Sequence, residues 1–584
     1  MSGRYTSSRR DVLKQGAVLG GMAAVGAASF ERFVPGTAAA AQLDRSQTLY
    51  VAGHQWGPPT TFNPLSADPP FPVDPQFMHL YESLYTFNSL TGESDPHLAA
   101  AQPEEDAEGM TITLHEGITF QDGEALTAED VVYSLTIPER QEGIRYADFL
   151  DYVTSVEAVD DLTVRLTYNQ ERLHPARIRH HLNNIHILPQ HIWEPREAEG
   201  VVSVVDMEPV GSGPYQVSVA SAEQVVLVRY EDYWGAEVLG MPVPMNIVHP
   251  IFDSNDAGNL ALQRGEVDLS QQFVPQIWQM WEDQEAPVGT WYSEEPYYVP
   301  GSIPIIHLNI SRPGLDNPAV RRALAHAIPY AQIAEVAMSR YSDVVNPSLI
   351  IPLGAEEQFF NADAIASDEN GWEYNPDEAR RILEEEVGAT EEDGVYVLED
   401  GTTLGPWTVQ CPFGWTDWMT ALELVAQGAQ DAGFDITTEF PEAPVVTTNV
   451  QNGDFDIAMW GVTGVSAAGP WMRFRDVMDN RGVPELGQTA FWNYNRFKSE
   501  EAEQLLDQAA TAEGDELVEI YTQLDGIFRA NVPVIPLMYR PLEFYEFNES
   551  VWTGFPTEEN PSAPPMHYGS GIKVLYNLEP VGGN

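Results

Sequence analysis

Lysine is almost missing from this chain. Lys14, Lys498 and Lys573 are the only three, and arginine makes up the rest of 29 basic side chains facing 88 carboxylates. The formal net charge of −59 argues against a nucleic-acid partner, which needs clustered Lys and Arg. Cysteine occurs once, at Cys411, so neither an internal disulfide nor a cysteine-rich metal site can form. Missing too are H-E-x-x-H, a phosphate loop, a dinucleotide fingerprint and a G-x-S-x-G elbow; GSGPY at 211–215 lacks the second spacing. Internal repeats and low-complexity tracts are absent as well. What is there is a globular composition, 43% hydrophobic and 10% aromatic. Its length suits roughly two to four lobes.

The amino-terminal residues differ in charge from the rest. Residues 1–41 carry Arg4, Arg9, Arg10, Lys14 and Arg32 against only Asp11 and Glu31. An uncharged Gly- and Ala-rich run follows from Gln15 to Phe30, then TAAAAQ at 37–42 offers a small-residue cleavage site near Ala41. These are the three parts of a secretory signal. Arg9-Arg10 with Val12, Leu13 and Lys14 resembles the twin-arginine motif, which addresses folded proteins for export. The apolar run falls short of the about twenty residues of a membrane span. Retention as an anchor is the alternative to cleavage. No cysteine follows, so no lipobox is expected and the product is extracellular or at the cell surface. Beyond residue 41 the acids are scattered, not massed in one tail. Such a surface suits very high salt, where the Debye length falls to about 3 Å and carboxylate repulsion is screened.

Along the body, β-rich runs such as TVRLTY (163–168) and QVVLVRY (224–230) alternate with helical stretches such as PDEARRILEEEVG (376–388) and SEEAEQLLDQAATA (499–512). Thr127 and Asp130 form a capping-box variant at a helix start. The Pro- and aromatic-rich segment 531–565 is too apolar for a linker and is expected to pack across a lobe. Five of the thirteen histidines fall between His174 and His191. Their spacing, with no Cys nearby, reads as ordinary surface and core histidine, not as a metal site.

A string of phrases in fixed order then resembles the family-5 extracellular solute-binding proteins of ABC importers. TFNPL (61–65), LYESLYTFNSLTGESDPHLAAAQP (80–103) and LHEGITFQDGEALTAEDVVYSL (114–135) come first. EPVGSGPYQV (208–217), VRYEDYWG (228–235), LQRGEVDLS (262–270) and NPAVRRALAHAIP (317–329) follow, the last with Pro329 where the family usually has aspartate. The resemblance runs from about residue 48 to the carboxyl terminus. It implies an α/β, two-lobed periplasmic-binding-protein-like fold (class II, cluster C type) with an extra subdomain in the N-terminal lobe. The expected layout is a signal at 1–41, lobe I over 42–306, lobe II over 307–534, and 535–584 returning to lobe I. It implies a monomeric carrier, not an enzyme, that needs no cofactor, closes on a solute and docks on an ABC permease. The signature phrases read as structural: Gly211 and Gly213 beside Pro214 suit a tight turn, and Glu266 and Asp268 suit a turn more than a ligand.

Cargo must be read from the cleft. Peptide binders of the family carry an aspartate a few residues after a tryptophan to hold the α-ammonium. In DFDIAMWGVTGVSAAGPWMRFRD (454–476) no acid follows Trp460 until Asp476. An ammonium buried there without a counter-charge would cost several kcal/mol. CPFGWTDWMTALELVAQGAQDAGF (411–434) resembles instead the branch that binds cello-oligosaccharides, whose apolar ring faces stack on indole. The expected ligand-contacting residues are Trp56, Trp415, Trp418, Trp460, Trp471 and Asn309, the last as a ligand hydrogen bond or hinge. The expected cargo is a short β-linked oligosaccharide, with an oligopeptide as the alternative. Outside the family stand a metal-chelate carrier and a secreted hydrolase.

Overall fold

The computed structural model describes residues 43–53, 58–66, 78–541, 543–565 and 569–582. The export segment and Trp56 lie outside the described residues. Among the described residues no helix is long and apolar enough to cross a membrane.

Two α/β lobes, each with its own sheet and core, make up the molecule. The first sheet has seven strands in the order Val288–Thr290, Glu546–Asn548, Leu269–Ser270, Thr48–Ala52, Asn246–Pro250, Gln224–Arg229 and Tyr215–Ala220. Thr48–Ala52 runs parallel to both neighbours; the other pairs are antiparallel. Asp268 ties this sheet together, accepting two bonds of 2.6 Å from Arg45 and one of 2.8 Å from the Tyr50 N–H. It is thus a buried anchor and not a solvated turn residue. The glycines of GSGPY are demanded by close approach. A Cβ on Gly211 would sit 1.9 Å from the Leu80 carbonyl oxygen, and one on Gly213 2.4 Å from that of His79.

Attached to this lobe is a four-stranded antiparallel sheet of Glu104–Asp106, Gly109–Thr113, Thr163–Tyr168 and Val153–Asp160. Helices Ala128–Thr136 and Pro175–Asn184 share its separate core. The Thr127 N–H donates to Asp130 Oδ2 at 2.9 Å, closing the capping box.

The second lobe's sheet runs Ile436–Glu439, Trp407–Gln410, Ile457–Trp460, Ile305–Leu308 and Val534–Pro536. Its first three strands are parallel and the last two antiparallel additions. Ile305–Leu308 is buried at all four positions, as a central strand covered on both faces requires. Helix Pro318–Ala327 starts on a proline after the Asn317 cap, whose side chain accepts from the Ala319 N–H at 2.9 Å. From this helix the buried Arg321 donates to the carbonyls of Leu315 and Val532, the latter just past helix Gly514–Asn531. Arg321, the first of the RR pair in the family phrase, is therefore a packing device, while Arg322 pairs with Glu386 at the surface.

Two segments connect the lobes, and they pair with each other. Pro300–Ser302 and Arg540–Pro541 form a short antiparallel ribbon, and the Ser302 hydroxyl donates to the Pro541 carbonyl at 3.1 Å. The 531–565 segment therefore spans both lobes: it adds Val534–Pro536 to one sheet and Glu546–Asn548 to the other.

Candidate functional site

Between the lobes lies a cavity of about 660 Å³, with Ser302 of the connecting ribbon in its wall. That size falls within the about 300–1,000 Å³ of ordinary small-ligand pockets. The cavity opens past the carboxyl ends of parallel strands Trp407–Gln410 and Ile457–Trp460, the edge where open α/β sheets bind ligands.

Three tryptophans form its second-lobe wall. Trp460 ends its strand, Trp415 precedes helix Thr416–Asp431, and Trp418 follows in that helix's first turn. The Trp415 and Trp460 rings lie nearly parallel at 15°, with centroids 6.3 Å apart. Trp418 packs edge-on to Trp415 at 4.8 Å and is itself buried, whereas Trp415 and Trp460 are half-buried. The outcome is an indole platform backed by a third indole. Trp492, Phe491 and Tyr494 extend the aromatic wall.

The other expected contacts lie elsewhere. Trp471 is buried away from the cavity: its indole N–H donates to the Leu506 carbonyl at 2.9 Å and its ring meets His174 edge-on at 4.3 Å. Asn309 is held by its own fold. Its amide donates to the carbonyls of Gly453 and Phe455 at 3.1 and 2.6 Å. The reason is strand direction. Ile305–Leu308 is antiparallel to Ile457–Trp460, with Ile305 opposite Trp460, so the end that carries Asn309 points away from the cavity. Lobe crossing occurs before this strand, at the paired ribbon, not at Asn309.

The lining also holds Arg177, His181, Arg475 and Asp476, with Asp148 joining the first three behind it. Asp148, on the first lobe, accepts from Arg177 Nη2 at 2.5 Å and from Arg475 Nη2, on the second lobe, at 2.9 Å. His181 Nε2 stands 3.5 Å from the other Asp148 oxygen. Burial pushes the Asp148 carboxyl up, but Arg177, Arg475 and His181 outweigh it and hold the group well below the usual carboxylate range. Burial, reinforced by Arg177, lowers His181 to about 4 and His174 to about 3, so both rings are neutral at pH 7. Arg475 also lies over the Trp492 ring at 3.7 Å and reaches Asp476 Oδ1 at 3.3 Å. Asp476 Oδ2 accepts from the Thr463 N–H and hydroxyl at 2.9 and 2.6 Å. This carboxylate borders the cavity, yet its oxygens are committed to protein donors.

Sequence reasoning missed Arg145, Arg177, Arg475 and the Phe491–Tyr494 aromatics as cavity residues. The run FWNYN at 491–495 was a usable signal. Arg177 and Arg475 gave none, because their pairing with Asp148 spans 29 and 327 residues of chain. Of the histidine-rich stretch, His180, His181 and His186 border the cavity, while His191 pairs with Asp122. Among the described residues no cluster of His, Cys, Asp or Glu is arranged to hold a metal ion.

A model of the bacterial extracellular solute-binding proteins, family 5 (middle), matches residues 93–475. A solved oligopeptide ABC transporter periplasmic protein from Thermotoga maritima, bound to mannohexaose, is 29% identical over 93% of this chain and all of its own, with a TM-score of 0.86. The nonapeptide-bound oligopeptide-binding protein of Bacillus subtilis, at 20% identity and TM-score 0.74, covers 91% of this chain and 98% of its own and shares the fold. A probable peptide-binding protein of Agrobacterium fabrum is 24% identical over 75% of each chain.

Proposed function

The chain belongs to the bacterial extracellular solute-binding proteins of family 5, and from that premise we propose that it captures a short β-linked oligosaccharide and delivers it, chemically unaltered, to a membrane permease. The observation that carries the sugar reading is the platform of Trp415 and Trp460 backed by Trp418. The axial C–H face of a pyranose is apolar and stacks on such rings while its rim hydroxyls take polar partners. The mannohexaose-bound Thermotoga maritima protein supports the same class of cargo. Its hydrogen bonds and Arg475 leave Asp476 poorly placed to receive a peptide ammonium.

The alternative cargo is an oligopeptide. It is favoured by the presence of any carboxylate at all in this wall, and by the peptide-binding relative in Agrobacterium fabrum. Export through a twin-arginine signal, a monomeric state and life in concentrated salt complete the reading. Export rests on Arg9-Arg10, life in concentrated salt on the scattered acidic residues, and the monomeric state on the family resemblance alone.

Calorimetry of the mature protein in molar salt tests the cargo. Cellobiose-to-pentaose and mannose oligomers are titrated beside di- to pentapeptides. Heats with the sugars and silence with the peptides are expected; the reverse pattern rejects the sugar reading and selects the peptide one.

A further inference from the structure

Residues 461–466 follow the strand that Trp460 ends, and all six line the cavity. They form neither helix nor strand, yet the segment is fastened at two points. Every polar group of Thr463 is committed. Its N–H and hydroxyl donate to Asp476 Oδ2 at 2.9 and 2.6 Å, and its carbonyl accepts from Arg473 Nη1 at 3.2 Å. Arg473 is itself buried, paired with Glu356 and donating to the Leu349 carbonyl at 2.7 Å. Two residues on, the Val465 N–H donates to the Gly301 carbonyl at 2.8 Å. Gly301 belongs to the ribbon that connects the lobes. One stretch of cavity lining is therefore bonded to the joint on one side and to helix Trp471–Met478 on the other.

That helix carries the link across the cleft. Asp476 gives Oδ2 to Thr463 and Oδ1 to Arg475 Nη1 at 3.3 Å, and Arg475 Nη2 reaches Asp148 of the first lobe at 2.9 Å. A continuous run of bonds thus leads from the cavity segment to the opposite lobe. Its charges are distributed so that the link can break: once parted, Asp148 keeps Arg177 and Arg475 keeps Asp476, and no ion loses its last partner. A contact with two satisfied arrangements is what reversible closure needs. Gly461 marks the point where the segment leaves its strand. A Cβ there would meet nothing within 4 Å and its φ lies outside the left-handed region, so neither space nor backbone demands glycine; what it supplies is a loose joint.

We propose that Thr463 is a positioning residue that couples this stretch of lining to closure of the lobes. Through Asp476 it sets Arg475 for Asp148, and with Val465 it holds the segment against the ribbon. A cargo that presses on residues 461–466 thereby brings the interlobe contact into register. That last step rests on the cavity being the cargo site, as argued above; the bonding that runs from Thr463 to Asp148 does not.

The test measures interlobe distance on the mature chain in molar salt. Spin labels go on Val159→Cys in the first lobe and Val445→Cys in the second, both exposed, while the native Cys411 is buried. Pulsed spin–spin distances then give the ratio of near to far populations for the protein alone, with cellopentaose and with pentaalanine. Thr463→Val keeps the shape and removes the hydroxyl; it should lower that ratio by about threefold or more, and Thr463→Ser should restore it to within about twofold of the parent. Beside Asp148→Asn the same Thr463→Val change should add less than about twofold, because the link it serves is already cut. A melting curve confirms that each variant is folded, and Thr463→Ala, which removes the same hydroxyl, replaces the valine variant if that one is not. The proposal is overturned by a smaller change in Thr463→Val, by a change that persists beside Asp148→Asn, by a Thr463→Ser variant that behaves like Thr463→Val, or by a parent with no near population under any condition. If the variants behave as expected while neither probe shifts the parent, the coupling stands and the cargo reading falls.

Discussion

A tryptophan's neighbours decide whether it meets solvent or core, and here the same residue type takes both roles within twelve positions. Trp460 ends a strand at the cavity, whereas Trp471 opens helix Trp471–Met478, whose every residue is buried. Both were legible as indoles among small residues; only the direction of the helix face separates them, and spacing alone does not give that. Replacing each should therefore report different things. Trp460→Ala should weaken cargo binding by about tenfold, the value of a lost stacking face, with a nearly unchanged melting temperature. Trp471→Ala should cost about 3–5 kcal/mol of stability, as truncation of a large core aromatic does. Calorimetry and denaturant unfolding on the two variants check this. Asn309 shows the same limit from another side. Its place after a strand was readable, but the antiparallel register that turns it from the cavity was not.

Between elements, the decisive contact joins helix Pro175–Asn184 of the first lobe to helix Trp471–Met478 of the second. Asp148 sits between Arg177 and Arg475, Met472 accepts from Arg177 at 3.2 Å, and Trp471 meets His174. Arg177, Arg475, Met472, Trp471 and His174 are buried, and the Asp148 side chain between them is only 8% exposed. Asp148→Asn should leave two buried guanidiniums without their shared anion and cost about 3–5 kcal/mol. Small-angle scattering should show the variant more open than the parent at equal cargo concentration. Acid acts on the same contact. His174 and His181 are depressed to about 3 and 4, so an unfolded chain takes up protons that the folded form refuses. Stability is thus full above the ordinary histidine value near 6.5 and falls as pH drops from there toward 4. The slope is about 1.4 kcal/mol per pH unit for each ring. Asp148 adds nothing to this loss until the pH falls below the ordinary carboxylate value. Denaturant midpoints measured from pH 7 to 4 check the trend, and His181→Gln should lessen the slope by that one ring's share while His174 and the buried His79 and His307 keep the rest.

Over the whole molecule, the lobes were more legible than the cleft. The family phrases identify backbone packing: GSGPY exists because Leu80 and His79 leave no room for a Cβ, and the arginine of NPAVRRALAHAIP holds carbonyls. Such local demands are written in adjacent residues. The charged lining is assembled from residues hundreds of positions apart, and no local pattern announces it. Charge, by contrast, is a property of the sum. A net −59 with three lysines predicts self-repulsion in dilute buffer. The melting temperature should rise steadily from dilute buffer to molar potassium chloride, as screening shortens the Debye length to about 3 Å. A flat or falling profile would contradict the reading of the acidic surface.

The ribbon of Pro300–Ser302 and Arg540–Pro541 adds one more consequence. Two tethers stitched edge to edge cannot twist past one another; they bend together, as the spine of a book does. Were the lobes to part, the ribbon would confine them to a swing about a single axis, and how wide the mouth gaped would fix how far apart the indole platform and the arginine wall stood. A guest too bulky to let the covers shut would leave Arg475 short of Asp148, so the same joint that admits the guest also gauges its size.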